Sequence, residues 1–331
     1  MHAVSVLPHL DPARYLRHAL HAESRAWVEK NCYVDIWIEL LHALGCEPLA
    51  MLPFAAALDF EGDQWTFFKP PHHDLYELYG IDVQELNVWR PLLEHALEHL
   101  TAGQLICTEA DAYWLPDTSG TDYRRSHTKS SIILNRLDVA GRRLDYFHNA
   151  GYHALQGEDF AHTFRLETGP EPGLLPLYAE RVRIDALRRR SPQELALASR
   201  ELWRRHMQRR PKNNPVRRFQ QRFERDLPGI RAAGLDHYHV WAFATTRQLG
   251  AAFEATAYNL RWLVAHAPDG VAPEGLMEAA RAFSDISDSG KTFILKGARA
   301  ASTQRPFDAA ETFNTMAEAW DRGMQVIDTW L

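Results

Sequence analysis

Cysteine is scarce in this chain: only Cys32, Cys46 and Cys107 occur in 331 residues, and no two form a CxxC pair. That scarcity argues against a disulfide framework and against a cysteine-rich zinc site, and leads us to expect a reduced, cytoplasmic protein. Long apolar runs are missing too. No stretch approaches the roughly 20 apolar residues needed to span a bilayer, so no membrane association is expected. The first residues, Met1 to Arg14, lack a basic region followed by an apolar core, so no secretory signal is expected. Apolar residues make up 46% and charged residues 24%, the balance of an ordinary globular protein. The length suits one large domain or two smaller ones.

What the sequence does have is a cysteine where a polar segment turns apolar. The segment Trp27-Val28-Glu29-Lys30-Asn31-Cys32-Tyr33-Val34-Asp35-Ile36-Trp37 predicts a helix that starts after Asn31, a residue type that caps helices. The spacing of Ile36, Leu40, Leu41 and Leu44, with Gly45 behind them, supports that helix. Helix N-termini favour the thiolate, which is the nucleophilic form of cysteine. Without a converging base, Cys32 would simply be a small core residue.

The rest of the chain divides into a mixed first half and a helical second half. A turn and short strand are expected over Leu78–Val83, a helix over Leu92–Leu100, and strands over Leu105–Ala110, Ser130–Leu134 and Leu144–Phe147. Candidate helices cover 176–190, 192–209, 214–226, 235–266, 273–300 and 308–331. Pro211 and Pro215 break the second from the third. No internal repeat or low-complexity segment is present.

A nucleophilic cysteine needs a base, and the base needs a third group to hold its tautomer. His127 precedes one predicted strand and Asn149 ends the next. An antiparallel pairing would bring them close, in the order of papain-type sites. His148 and Asp145 are rival third members. The backbone N–H of Cys32 and the side chain of Asn31 are the candidate oxyanion donors, although Asn31 reads equally well as a helix cap. Asp59, Glu61 and Asp63 alternate along a loop, as do carboxylates that hold calcium, but the glycine and distal glutamate of an EF-hand are absent. We expect these three to line a pocket with polar groups instead. Asp111, Asp117 and Tyr123 are further candidates for substrate binding, the two aspartates for an amine. His72-His73-Asp74 and His237-Tyr238-His239 lack HExxH spacing, so no metal site is expected. Gly290-Lys291-Thr292 lacks the upstream glycine of a P-loop, because residue 285 is Asp.

Charge is uneven. Between Arg181 and Arg225 there are fifteen Arg/Lys against four Asp/Glu, in a chain whose net charge is −6. Three readings fit this segment: a solvated helical face, a nucleic-acid surface, or a docking site for an acidic protein. Aromatic residues are thin there, and nucleic acid is the less favoured partner of the last two.

Four blocks resemble the uncharacterised bacterial family DUF1839. They are Asn31–Leu40, Asp59–Lys69 (DFEGDQWTFFK), Leu115–Tyr123 (LPDTSGTDY) and Tyr146–Tyr152 (YFHNAGY). The order Cys32, Asp111–Pro116, His127, His148-Asn149 is also similar, more distantly, to butirosin-H-type acyltransferases. Those relatives more often have Asp at the third position, where this chain has Asn. That second resemblance implies a papain-like fold and transfer of an acyl group from a carrier-protein thioester through an acyl-cysteine. The expected fold is therefore α+β: a papain-like half with an antiparallel sheet over 1–170, and a mainly helical half over 171–331. The expected reaction is transfer of an acyl group, with aminoacyl favoured, by Cys32, His127 and Asn149 to a small amine or alcohol acceptor. No cofactor is expected in the protein itself; phosphopantetheine would arrive on an acidic acyl or peptidyl carrier protein. Arg188, Arg189, Arg204, Arg205, Arg209 and Arg210 are the candidate docking residues. A cysteine hydrolase on the same triad, and a non-catalytic protein that binds an acidic partner, are the alternatives.

Overall fold

The computed structural model describes residues 3–166, 177–303 and 307–331. The chain folds into two compact units that interleave along the sequence. One comprises Met1–Ala22, Asn31–Cys46 and Leu75–Arg189; the other comprises Glu23–Lys30, Glu47–Asp74 and Arg190–Leu331. The fold is α+β, with an antiparallel sheet in the N-terminal half and helices in the C-terminal half.

The first unit is a seven-stranded sheet. Its strands are β1 (Val4–Ser5), β2 (Asp82–Glu85), β3 (Leu105–Asp111), β4 (Lys129–Asp138), β5 (Arg143–His148), β6 (Gly151–Gln156) and β7 (Ala179–Arg183). They lie in the order β2-β7-β3-β4-β5-β6, with β1 against β4, and every pair is antiparallel. Side chains alternate between the two faces. Ile106, Ile132, Leu134, Leu144 and Tyr146 share one face. There they join Leu92, Ala96 and Leu100 of the helix Leu92–Thr101, together with Phe160, in one apolar cluster. Against the strands β4, β5 and β6 packs α1 (Cys32–Ala43). Every residue of α1 from Tyr33 to Leu41 is buried, including Asp35 and Glu39. These two carboxylates need partners, since a lone buried charge costs several kcal/mol. His21 supplies them, with Nε2 3.0 Å from Asp35 and Nδ1 against Glu39, and the Tyr15 hydroxyl also donates to Glu39. Burial alone would raise the Glu39 pKa, but the His21 and Tyr15 contacts bring it below its ordinary value.

Two expectations change here. The helix expected over 176–190, whose residue 176 lies outside the described residues, is absent at Ala179–Arg183, which is a strand between β2 and β3. Its Arg-rich composition favours helix locally, and pairing on both edges overrides that preference. A third strand, Gly151–Gln156, continues the hairpin of β4 and β5 and was not anticipated.

The second unit is helical apart from a short hairpin, Phe60–Glu61 with Gln64–Trp65. Its long helices are α2 (Pro192–Met207), α3 (Pro215–Ala233), α4 (Leu235–Ala244), α5 (Thr246–His266), α6 (Leu276–Thr303) and α7 (Ala310–Trp330). The proline break appears as expected: α2 ends at Met207, and Asn214 caps α3 with Pro215 in its first turn. The helix expected over 235–266 is two helices, separated at Thr245, whose backbone leaves the helical region (φ −116°, ψ −80°). Phe219, Phe223, Trp241, Phe293 and Phe313 form an aromatic cluster with ring centroids 5.2–6.1 Å apart. Among the described residues no helix is long and apolar enough to cross a membrane.

Glycine conformation gives a direct check on the sheet unit. Gly80 and Gly103 both have positive φ (71° and 76°). A Cβ on Gly80 would sit 2.1 Å from the Ala186 carbonyl oxygen, whereas one on Gly103 would meet nothing within 4 Å. Gly103→Ala should therefore cost about 1 kcal/mol from backbone strain alone. Gly80→Ala should cost clearly more, because backbone must also move. Urea midpoints for the two variants would measure the difference, and equal losses would contradict this account.

Candidate functional site

The start of α1 is built as its sequence suggests. Asn31 is extended (φ −153°, ψ 159°), and its Oδ1 accepts hydrogen bonds from the N–H groups of Tyr33 (3.1 Å) and Val34 (2.9 Å). This makes Asn31 the N-cap and Cys32 the first helical residue. The Asn31 oxygen is thus committed to capping the helix, and the donor expected at an oxyanion could only be the Nδ2 group of the same side chain. Cys32 is half-buried, and its Sγ lies 3.9 Å from the Ser131 hydroxyl of β4.

His127 does not meet Cys32. It lies four residues before Ser131, about 13 Å of extended chain. Its ring stacks on Tyr113 at 4.4 Å, its Nδ1 is 2.6 Å from Asp111, and its side chain is 70% exposed. Asn149 has φ +44° and opens the two-residue turn between His148 and Gly151. Among the described residues, no hydrogen bond joins Cys32 to His127 or His127 to Asn149. The expected convergence therefore fails on register: Ser131, not His127, is the β4 residue that reaches the thiol. Asp145, the other rival, pairs with Arg143 at 2.8 Å and Arg136 at 3.9 Å.

The opposite face of the sheet holds a different constellation. Ser130 points away from Cys32 because consecutive strand residues face opposite ways. Its Oγ is 2.6 Å from Nε2 of His148, and the Nδ1 of that ring is 2.5 Å from Oδ2 of Asp117. The Tyr146 hydroxyl donates to the other Asp117 oxygen. Ser130 is 6% exposed and His148 fully buried. A carboxylate only accepts, so Nδ1 carries the proton toward Asp117 and Nε2 is left to accept from the Ser130 hydroxyl. This is the order of groups in a serine nucleophile, its base and the residue that orients the base.

Local structure explains how the three meet. The tight antiparallel pairing of β4 and β5 brings the start of one strand beside the end of the other. Asp117 sits in the short turn Pro116–Thr118, which the Thr118 hydroxyl pins to the carbonyls of Ala112 (3.0 Å) and Leu115 (2.9 Å). Burial alone would raise the Asp117 pKa. The His148 ring beside it, His153 at 3.9 Å and the Tyr146 hydroxyl outweigh burial and pull it down to about 2. Burial and the Asp117 carboxylate push the Tyr146 hydroxyl the other way, well above its ordinary value. Sequence reading named His148 and Asp117 separately and missed Ser130. The available signal was the Ser130-Ser131 pair at a strand start, opposite a strand ending in His148.

The remaining candidates are spread out. Asp111 accepts from the Tyr113 N–H as well as facing His127. Tyr123 donates to Asp159, which also holds Arg124. Asp59, Glu61 and Asp63 belong to the helical unit, where Asp59 is ion-paired with Arg218. Most of the expected docking arginines have partners within the chain. Arg188 donates to the Tyr76 carbonyl and Arg189 to that of Leu44. Arg204, Arg205 and Arg210 pair with Glu201, Asp74 and Asp328. Arg209 alone of the six has no side-chain partner among the described residues.

Comparison with known families accounts for nearly the whole length. Residues 16–184 match the DUF1839 N-terminal domain and residues 192–329 match the DUF1839 C-terminal domain. The chain belongs to the DUF1839 family. No curated protein matches it.

The depressed Asp117 pKa sets a pH dependence. Its folded value lies below the ordinary 3.8, so the carboxylate stabilises the fold fully above pH 4. That contribution disappears as pH falls toward 2. Asp117→Asn should lower stability at pH 7 by roughly 2 kcal/mol. The gap from the natural protein should close between about pH 4 and 2. Chemical denaturation across that range tests it, and a gap that persists at pH 2 would contradict the assignment.

Proposed function

We propose that this DUF1839 protein is an acyl-transfer enzyme of the serine type, with Ser130 as nucleophile, His148 as base and Asp117 holding the base. One observation supports this above all others: the unbroken hydrogen-bonded line from the Ser130 hydroxyl through His148 to Asp117. Ser130 Oγ attacks the carbonyl carbon of the donor while its proton passes to His148 Nε2. The bond to the leaving group breaks, and His148 returns the proton to that group. An acceptor then attacks the acyl-serine ester, giving its proton to His148, and Ser130 is released with its own proton restored. The Asp117 carboxylate stabilises the positive ring in both half-reactions. Ser130 is 6% exposed, so a donor reaches it only when the surrounding loops open.

As donor we propose an acyl or aminoacyl thioester on the phosphopantetheine arm of an acidic carrier protein, the donor that the distant resemblance of the Cys32, Asp111–Pro116, His127 and His148-Asn149 order to butirosin-H-type enzymes implies. An amine or alcohol acceptor makes the protein a transferase, and water makes it a hydrolase. The papain-like reading places the acyl group on Cys32 instead. It is favoured by a half-buried thiol at a capped helix N-terminus, and opposed by the lack of a histidine beside that thiol among the described contacts. The non-catalytic reading, binding of an acidic partner by the arginines, is weakened by the pairing of five of the six within the chain.

Labelling separates these readings. The protein is incubated with a fluorophosphonate and with a panel of acyl- and aminoacyl-carrier proteins, and adducts are read by intact mass. Adducts should form with the natural protein and with Cys32→Ala, and vanish in Ser130→Ala. His148→Ala should slow acylation by about 10²–10⁴-fold. Adducts lost in Cys32→Ala but kept in Ser130→Ala would transfer the role to the cysteine. No adduct with any reagent would refute both enzymatic readings.

A further inference from the structure

The helical unit has a cleft of its own where the start of α6 meets the end of α7. One part, of about 450 Å³, is lined by Leu276, Val326 and Trp330 together with Glu278 and Arg322. An adjoining part of about 310 Å³ shares Glu278 and Arg322 and adds Arg261, Arg281, Ser284 and Asp285. The cleft is thus apolar at one end and charged at the other, and Glu278 and Arg322 border both.

The charges there are less committed than those of the Arg-rich segment. Glu278 and Arg281 stand one turn apart on α6, and neither has a salt bridge or side-chain hydrogen bond among the described residues. Among the described residues, Arg322 has a single loose pairing, with Asp285 at 3.7 Å, too long for a hydrogen bond. Arg261 donates to the Ser284 hydroxyl at 2.7 Å, so it is held in place on the cleft wall. The indole of Trp330 is also fixed: its Nε1 donates to the Val271 carbonyl at 2.7 Å, and the Arg200 guanidinium lies 5.7 Å from its ring centre. A rigid aromatic floor, an available carboxylate and available guanidinium groups together suit a ligand of one kind.

We infer that this cleft binds a free amino acid with an apolar or aromatic side chain. Glu278 takes the ammonium group, while Arg322 and Arg281 take the carboxylate in a fork that guanidinium geometry favours. The side chain lies against Trp330 and Val326, which are partly exposed there. A purely anionic ligand would face the carboxylates of Glu278 and Asp285, and a purely cationic one would set itself against Arg261, Arg281 and Arg322. Only a ligand carrying both charges satisfies the two sets. The site is independent of Ser130.

Calorimetric titration of the full-length protein tests the inference, using L-phenylalanine, L-tryptophan and L-leucine. At least one should bind saturably at millimolar concentration or below. The matching analogue without the amine (3-phenylpropionate for phenylalanine) and that without the carboxylate (2-phenylethylamine) should each bind at least about tenfold more weakly, as expected for loss of one charge-assisted contact. Arg322→Gln should weaken the amino acid by a similar factor. Glu278→Gln should erase the preference over 3-phenylpropionate. Both residues are exposed, so the variants should fold, which circular dichroism checks. Ser130→Ala should bind as the natural protein does. The inference is overturned if none of the three amino acids binds, if 3-phenylpropionate or 2-phenylethylamine binds as tightly as phenylalanine, or if the two substitutions leave affinity unchanged.

Discussion

Consecutive residues of a β-strand face opposite sides of the sheet, and at Ser130-Ser131 that rule divides the chemistry of the first unit. Ser131 turns toward α1 and meets the Cys32 thiol. Ser130 turns toward the apolar cluster and meets His148. A slip of one residue in the β4–β5 pairing would exchange the two faces, placing Ile132 and Leu134 against α1 and breaking the line to Asp117. The pairings Ile133–Phe147 and Leu134–Tyr146 fix that register, so the apolar packing that stabilises the sheet also aligns its polar groups.

The same economy governs the buried charges. Asp35 and Glu39 lie one turn apart on a helix that is buried along most of its length, and His21 spans both. Asp117 sits among His148, Tyr146 and His153 in the same way. Carboxylates that would be costly alone are surrounded by donors in both places, and the pKa values of Glu39 and Asp117 fall despite burial. Two buried carboxylate–histidine clusters thus brace the two faces of one sheet. Only the second of these two clusters has a serine hydroxyl hydrogen-bonded to its histidine among the described contacts.

Much of the framework was legible in the sequence. Asn31 before an apolar run gave the start of α1, and the prolines at 211 and 215 gave the break between α2 and α3. The strands around Ile106, Ile132 and Tyr146 were readable from their apolar residues. The failures share a cause. Ala179–Arg183 looked helical because its composition is helical, yet it lies between two strands. His127 looked like a base because the order of residues allowed it, yet it sits too far along the chain from the thiol. Order along a sequence does not fix register, and register decides which side chains meet.

The sequence by itself determined the local signals: a capped helix beginning at Cys32, the alternating strands and the helices of the second half. Those features depend on residues within a few positions of one another. Tertiary structure alone decided that Cys32 faces a serine, that His148 lies between Ser130 and Asp117, and that Glu278 and Arg322 border one cleft. Each of those meetings joins residues separated by 18 to 99 positions. Such distances are closed by strand pairing and helix packing, whose energy comes from apolar burial and not from the polar groups it brings together.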